Sequence, residues 1–166
     1  AKWLFGLRND QIDVVVHPQS IIHSLVQFED GTLKAEMGLA DMRLPIQYAL
    51  AYPHRLPNKF PRFKFEDYQQ LTFEKPDYYT FRNLELAFKA LEKGGNMACI
   101  LNAANEIAVD AFLKDHIHFM DIAAINEQCM DQMHFRDNPT LDDFIDADKA
   151  TREFAQSLLN HKNLQE

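Results

Sequence analysis

The chain has 166 residues, 46 % apolar and 25 % charged, which gives room for one domain, or a small domain with part of another, and excludes a disordered polymer. No run approaches the ~20 apolar residues of a bilayer span, and AKWLFGLRND lacks the apolar centre of a secretory leader. A net charge of −8, from 25 acids and 17 bases, argues against a nucleic-acid surface, and two cysteines make neither a disulfide framework nor a metal knuckle, so a reducing, cytoplasmic setting is expected.

The first residue is Ala1, and AKWLF reads as the end of a helix, so a piece of something longer or a processed product is expected. Ile12-Asp13-Val14-Val15-Val16 is a β-branched run that ends at His17-Pro18. Residues 22–29 and 32–38 flank Asp30-Gly31, a two-residue hairpin signal. That turn would pair Phe28 with Leu33, Val26 with Ala35 and Ser24 with Met37 on an apolar face. Gln27–Lys34, Leu25–Glu36 and His23–Gly38 would share the mixed face. After the loop Gly38–Arg43, IQYALAY predicts a short helix stopped by Pro53. Four of the seven prolines then punctuate residues 53–77, a basic and aromatic stretch that reads as an extended linker. From about residue 80 the apolar spacing is helical, with Thr80, Asn102, Asp121 and Asp146 or Asp148 as candidate starts of four helices. The expected fold is α+β: a partial β-sheet with a hairpin over 1–52, a linker over 53–79 and a C-terminal four-helix bundle over 80–166.

Candidate chemistry is sparse. His17 and His23 lack metal-ligand spacing and a companion carboxylate. His23, placed opposite Gly38 on the open sheet face, is the better placed of the two to touch a ligand. Asp41 suits either a ligand contact or the turn before the helix, and Arg43 either an anion or Asp41 itself. NAANE, residues 102–106, reads first as a capped helix start with small residues for close packing. His116 and His118 fit a helix end at the surface, and Cys99 and Cys129 fit the helical core. There is no Gly-rich dinucleotide loop, P-loop or nucleophile elbow, so this chain alone does not carry a complete catalytic apparatus.

Two strings go further. HPQSIIHSLVQFEDGTLKAEMGLADMRLPIQYAL, residues 17–50, resembles the end of the catalytic domain of the 1-deoxy-D-xylulose 5-phosphate reductoisomerase family. GGNMACILNAANEIAVDAFL, residues 94–113, resembles the start of its C-terminal helical domain, and LTF (71–73) and PD (76–77) fall where the family has them. The resemblance implies an oxidoreductase of the non-mevalonate (MEP) isoprenoid pathway, a homodimer. Such an enzyme rearranges 1-deoxy-D-xylulose 5-phosphate and reduces the intermediate with NADPH, using a divalent ion (Mg²⁺, Mn²⁺ or Co²⁺), to give 2-C-methyl-D-erythritol 4-phosphate.

It further implies that the Rossmann domain, the acidic metal ligands, the mobile loop and the phosphate-binding cluster lie upstream of Ala1. This chain would then be an inactive C-terminal half that binds neither cofactor nor metal by itself, with no metal ligand of its own. Three positions match family pocket residues. His23 corresponds to a histidine near the substrate, the one candidate for a catalytic role. Met42 corresponds to a methionine at the nicotinamide and substrate side, and Ala40 stands where many members have a proline in the loop over the ligand. In the parent enzyme the sheet would be a wall of the active site, buttressed by the bundle. The alternative is a helical interaction or dimerisation module without catalysis. A sheet cut from its upstream partner should expose residues 12–38 and make enlarged intermolecular contacts there.

Overall fold

In the computed structural model, which describes residues 1–162, β1 (Ile22–Gln27) and β2 (Leu33–Met37) form a two-stranded antiparallel sheet. With six α-helices among the described residues, the fold is mixed α+β. The register is not the expected one: Leu25 faces Ala35, Val26 faces Lys34 and Gln27 faces Leu33. The turn is the cause. Phe28 N–H donates to Thr32 O and Gly31 N–H to Phe28 O, both at 2.9 Å, so the loop is Glu29-Asp30-Gly31 rather than Asp30-Gly31. Gly31 takes φ +84°, the left-handed position that closes such a loop, and the Asp30 carboxylate accepts the Thr32 N–H at 2.8 Å. One residue of slip changes which side chains share a face. A β-bulge between Ile22 and Ser24 slips the pairing again, leaving His23 as the extra residue.

The chain divides into two compact units, one of residues 14–76 and the other of residues 1–13 with the helices from Asp77 onward. In the first unit nearly every hairpin residue is exposed, and Ile21 is its one buried apolar side chain among the described residues. Such a hairpin has little to hold it by itself. The Ile12–Val16 run is not a strand; Val16 forms an isolated antiparallel bridge to Glu74. The helix expected from IQYALAY is α2 (Arg43–Ala51) and starts earlier, since proline is tolerated in a first turn and the Asp41 carboxylate accepts the Arg43 N–H at 3.0 Å. Residues 53–76 hold no strand or α-helix, only a short 3₁₀ turn at Phe65–Asp67 and the Glu74 bridge.

In the second unit, a short helix α1 (Lys2–Phe5) is tied by the Lys2 ammonium to Leu91 O at 2.9 Å and Asn9 Oδ1 at 3.1 Å. The larger helices are α3 (Arg82–Lys93), α4 (Met97–Leu113), α5 (Phe119–Gln132) and α6 (Leu141–Lys162). Helix α4 packs against α3, α5 and α6, and its buried Ala103, Ala104, Ala108 and Ala111 permit close approach. Ile122, Ile125 and Cys129 of α5 and Ala155 of α6 are buried, with Leu86, Ala90, Thr151 and Leu159 also in core positions, whereas Ala150 is exposed.

The helix starts need correction. Asn102 lies inside α4, which begins after Asn96, a side chain only 1 % exposed. Asp77, not Thr80, serves α3, its carboxylate accepting the Tyr79 and Thr80 N–H groups at 3.0 Å. Helix α5 begins at Phe119, with Asp121 one turn inside accepting the His118 N–H at 2.9 Å. Helix α6 begins at Leu141, ahead of Asp146, through a reciprocal pair: Thr140 N–H to Asp143 Oδ2 at 2.9 Å and Asp143 N–H to Thr140 Oγ1 at 3.3 Å. Residues 163–166 of the expected 80–166 stretch lie outside the described residues.

Candidate functional site

The site expected at His23, Ala40 and Met42 belongs to the first unit and starts from a turn. Ser20 N–H donates to His17 O at 3.0 Å, which closes His-Pro-Gln-Ser, and Ile21 follows as the buried anchor. Ile21 O accepts the Gly38 N–H at 2.9 Å, so the end of β2 is fixed to the start of β1. His23, in the bulge, places Nε2 at 3.2 Å from Gly38 O. A carbonyl oxygen only accepts, so Nε2 carries a proton in this bond, which leaves Nδ1 as the nitrogen free for a ligand. His23 is therefore linked to Gly38 through its side chain, not as its strand partner. A Cβ on Gly38 would meet nothing within 4 Å, so space is open there, as the sequence suggested.

From Gly38 the loop runs through exposed Ala40 to Met42, 70 % exposed and immediately before α2. The structure ties His23 to the first residue of this loop, while the Ala40 and Met42 side chains stay uncovered. Asp41 and Arg43 engage each other, with Nη2 at 2.6 Å from Oδ2, and the guanidinium sits 4.4 Å from the Phe60 ring centre. The hydrogen bonds from Arg43 hold the Asp41 carboxyl below its ordinary range. This pair therefore makes the turn before α2. Alongside β2 and α2 is a cavity of about 360 Å³ lined by Met37, Leu44, Tyr48, Arg55, Leu56 and Asn58 among others, and none of the three candidate residues lines it.

Among the described residues, no three His, Cys, Asp or Glu side chains are grouped to hold a metal. His17 directs Nδ1 to Thr72 O at 2.8 Å and stacks on Phe73, with ring centres 4.7 Å apart. The NAANE segment ties helices together. Asn102 donates to Glu106, and Glu106 meets Arg152 of α6 at 2.7 Å. Asn105 Oδ1 accepts from buried Asn126 of α5, which also donates to Asn83 of α3. Bonds from Asp148 and Glu106 push the Arg152 guanidinium above its ordinary value. Both cysteines are free. Burial pushes the Cys129 thiol up to about 11 and raises half-buried Cys99 as well. Sequence reasoning passed over Asn96 and Asn126. For Asn96 the available signal was a Gly-Gly-Asn ahead of an apolar run.

The family model for the DXP reductoisomerase C-terminal domain matches residues 37–154. A 1-deoxy-D-xylulose 5-phosphate reductoisomerase of Phocaeicola vulgatus is 56 % identical over 160 residues, 96 % of this chain and 42 % of that protein. The solved structure of the Zymomonas mobilis enzyme in complex with NADPH matches with TM-score 0.86 at 40 % identity, over 95 % of this chain and 42 % of its own. A DOX-P reductoisomerase structure with NADPH, fosmidomycin and magnesium gives 0.88 at 37 % identity, over 96 % of this chain and 41 % of its own. The chain thus spans less than half the length of these relatives.

Proposed function

Because the chain belongs to the DXP reductoisomerase family, matching its C-terminal domain, we propose that it works as the C-terminal part of a 1-deoxy-D-xylulose 5-phosphate reductoisomerase. The 56 % identity maintained over 160 residues carries this reading. In it, residues 1–52 complete the catalytic domain, 53–79 connect, and 80–166 form a four-helix bundle. The assembled enzyme is a cytoplasmic homodimer of the non-mevalonate pathway, acting on 1-deoxy-D-xylulose 5-phosphate.

NADPH supplies the hydride when bound, and a divalent ion (Mg²⁺, Mn²⁺ or Co²⁺) is held by residues outside this chain. The contribution of this chain is a wall. His23, its Nε2–H committed to Gly38 O, turns the Nδ1 lone pair toward a substrate hydroxyl and acts in catalysis by fixing that hydroxyl and its proton. Exposed Met42 and Ala40 cover the ligand from the loop, excluding water beside the nicotinamide. Half-exposed Val26, Phe28 and Leu33 on a hairpin with so little cover support an upstream segment that packs there. Without that segment, residues 12–38 make enlarged intermolecular contacts.

The test is substrate-dependent NADPH oxidation by this chain alone, and by the chain joined to the upstream part of its Phocaeicola vulgatus relative. The expectation is no turnover by the chain and metal-dependent turnover by the joined protein. Turnover by the chain alone, or an inert but folded and NADPH-binding joined protein, would refute the reading.

A further inference from the structure

Two short stretches far apart in sequence meet in the first unit. His17 Nδ1 donates to Thr72 O at 2.8 Å, and a carbonyl acceptor fixes the proton on Nδ1. Gln19 Nε2 donates to Thr72 Oγ1 at 2.8 Å, and Thr72 N–H returns a bond to Gln19 Oε1 at 3.1 Å. The imidazole lies nearly parallel to the Phe73 ring, 15° between planes, and Val16 and Glu74 exchange both backbone bonds at 2.9 Å. We propose that His17, Gln19 and Thr72 form a clasp that positions His23 and the 38–42 loop; this rests on the functional reading above.

The route from clasp to site is short. His17 O holds the Ser20 N–H, and Ser20 takes φ +50°, a left-handed turn that a non-glycine residue keeps only where its surroundings impose it. That turn delivers Ile21, 2 % exposed, whose carbonyl holds Gly38 N–H, while Gly38 O holds the His23 ring. Thr72 and Phe73 close a loop of some fifty residues onto the same point, and in a unit with one buried apolar side chain this closure is not replaced by core packing. His17 Nε2 is buried without a partner among the described residues, and the ring serves through Nδ1 and its stacked face. His17 acts through other residues and is a positioning residue, not a catalytic one.

The experiment has two arms. In this chain, amide exchange at Gly38 is followed by NMR in His17→Phe, His17→Asn and Gln19→Ala. Phenylalanine retains the stack and loses the donor, whereas the Asn amide nitrogen falls near the position of Nδ1. Exchange at Gly38 is expected to rise about five- to tenfold, the worth of one hydrogen bond, in His17→Phe and Gln19→Ala, with α3–α6 amides unchanged and His17→Asn closer to the parent. Gly38 exchange unchanged in folded His17→Phe and Gln19→Ala overturns the clasp; if His17→Phe fails to fold, Gln19→Ala decides.

In the joined protein, His17→Phe and Gln19→Ala should lower kcat about tenfold while the KM for NADPH moves less than about twofold, with His17→Asn closer to the parent. Unchanged kcat with altered Gly38 exchange overturns the positioning role and leaves the family reading intact. A joined parent protein that is folded and binds NADPH but is inactive overturns the functional reading and leaves the first arm standing.

Discussion

Among the glycines of the helical unit, Gly95 is the one whose replacement by alanine should be most damaging. Gly95 has φ +51°, and a Cβ there would lie 2.1 Å from Arg136 O, 2.9 Å from Phe135 Cε2 and 3.0 Å from the Arg136 carbonyl carbon. The first contact is with backbone, which cannot rotate away. Relieving it moves the 135–136 segment off the start of α4. That segment holds Asn96: Asn96 N–H to Arg136 O at 3.0 Å, Arg136 N–H to Asn96 Oδ1 at 2.9 Å, and Asn96 Nδ2 to His134 O at 3.1 Å. Two of these bonds broken at a side chain 1 % exposed cost about 2–4 kcal/mol, since the buried groups lose their partners without gaining water. The left-handed backbone adds about 1–2 kcal/mol. The control is Gly6→Ala, at φ +63° with nothing within 4 Å of its Cβ, which should lose only the backbone cost. Urea unfolding followed by helical circular dichroism compares the two. The expected gap is about 2–4 kcal/mol, and a gap below about 1 kcal/mol would show that the close approach at Arg136 does not constrain the fold.

The buried Thr151 hydroxyl has no partner among the described residues, so Thr151→Val should stabilise the helical unit by about 1 kcal/mol; a loss of stability of that size in the same urea titration would contradict this. Burial raises both thiols, Cys129 to about 11, so iodoacetamide near pH 8 should label Cys99 well before Cys129, and equal rates by mass spectrometry would count against the packing described. The Thr140 N–H and hydroxyl bonds hold the Asp143 carboxyl below its ordinary value. Its contribution is therefore complete above the usual carboxylate range and is lost as pH falls through its lowered folded value. Asp143→Asn should thus be less stable than the parent at neutral pH and close to it at acid pH, and a constant difference across the titration would refute this.

What the residues settled alone was local. Asp30-Gly31 marks a turn, the helical stripes mark helices, and four prolines mark a stretch without regular structure, because each depends on backbone preferences within a few positions. Ala40 and Met42 came by resemblance and His23 also from its place near Gly38, and the structure's own contribution there is the His23–Gly38 bond and the open space at Gly38. Tertiary structure decided the rest. Asn96 and Asn102 are both fit to start a helix, and the choice fell on the one whose side chain finds the backbone of His134 and Arg136, some forty positions away. The hairpin register turned on whether the loop closes on two residues or three, a one-residue difference that moves whole faces and that the Asp-Gly pair leaves open. His17 looked like a lone histidine until Thr72 and Phe73 were placed beside it. Contacts between distant residues depend on how the whole chain closes on itself, and no window of sequence contains that closure.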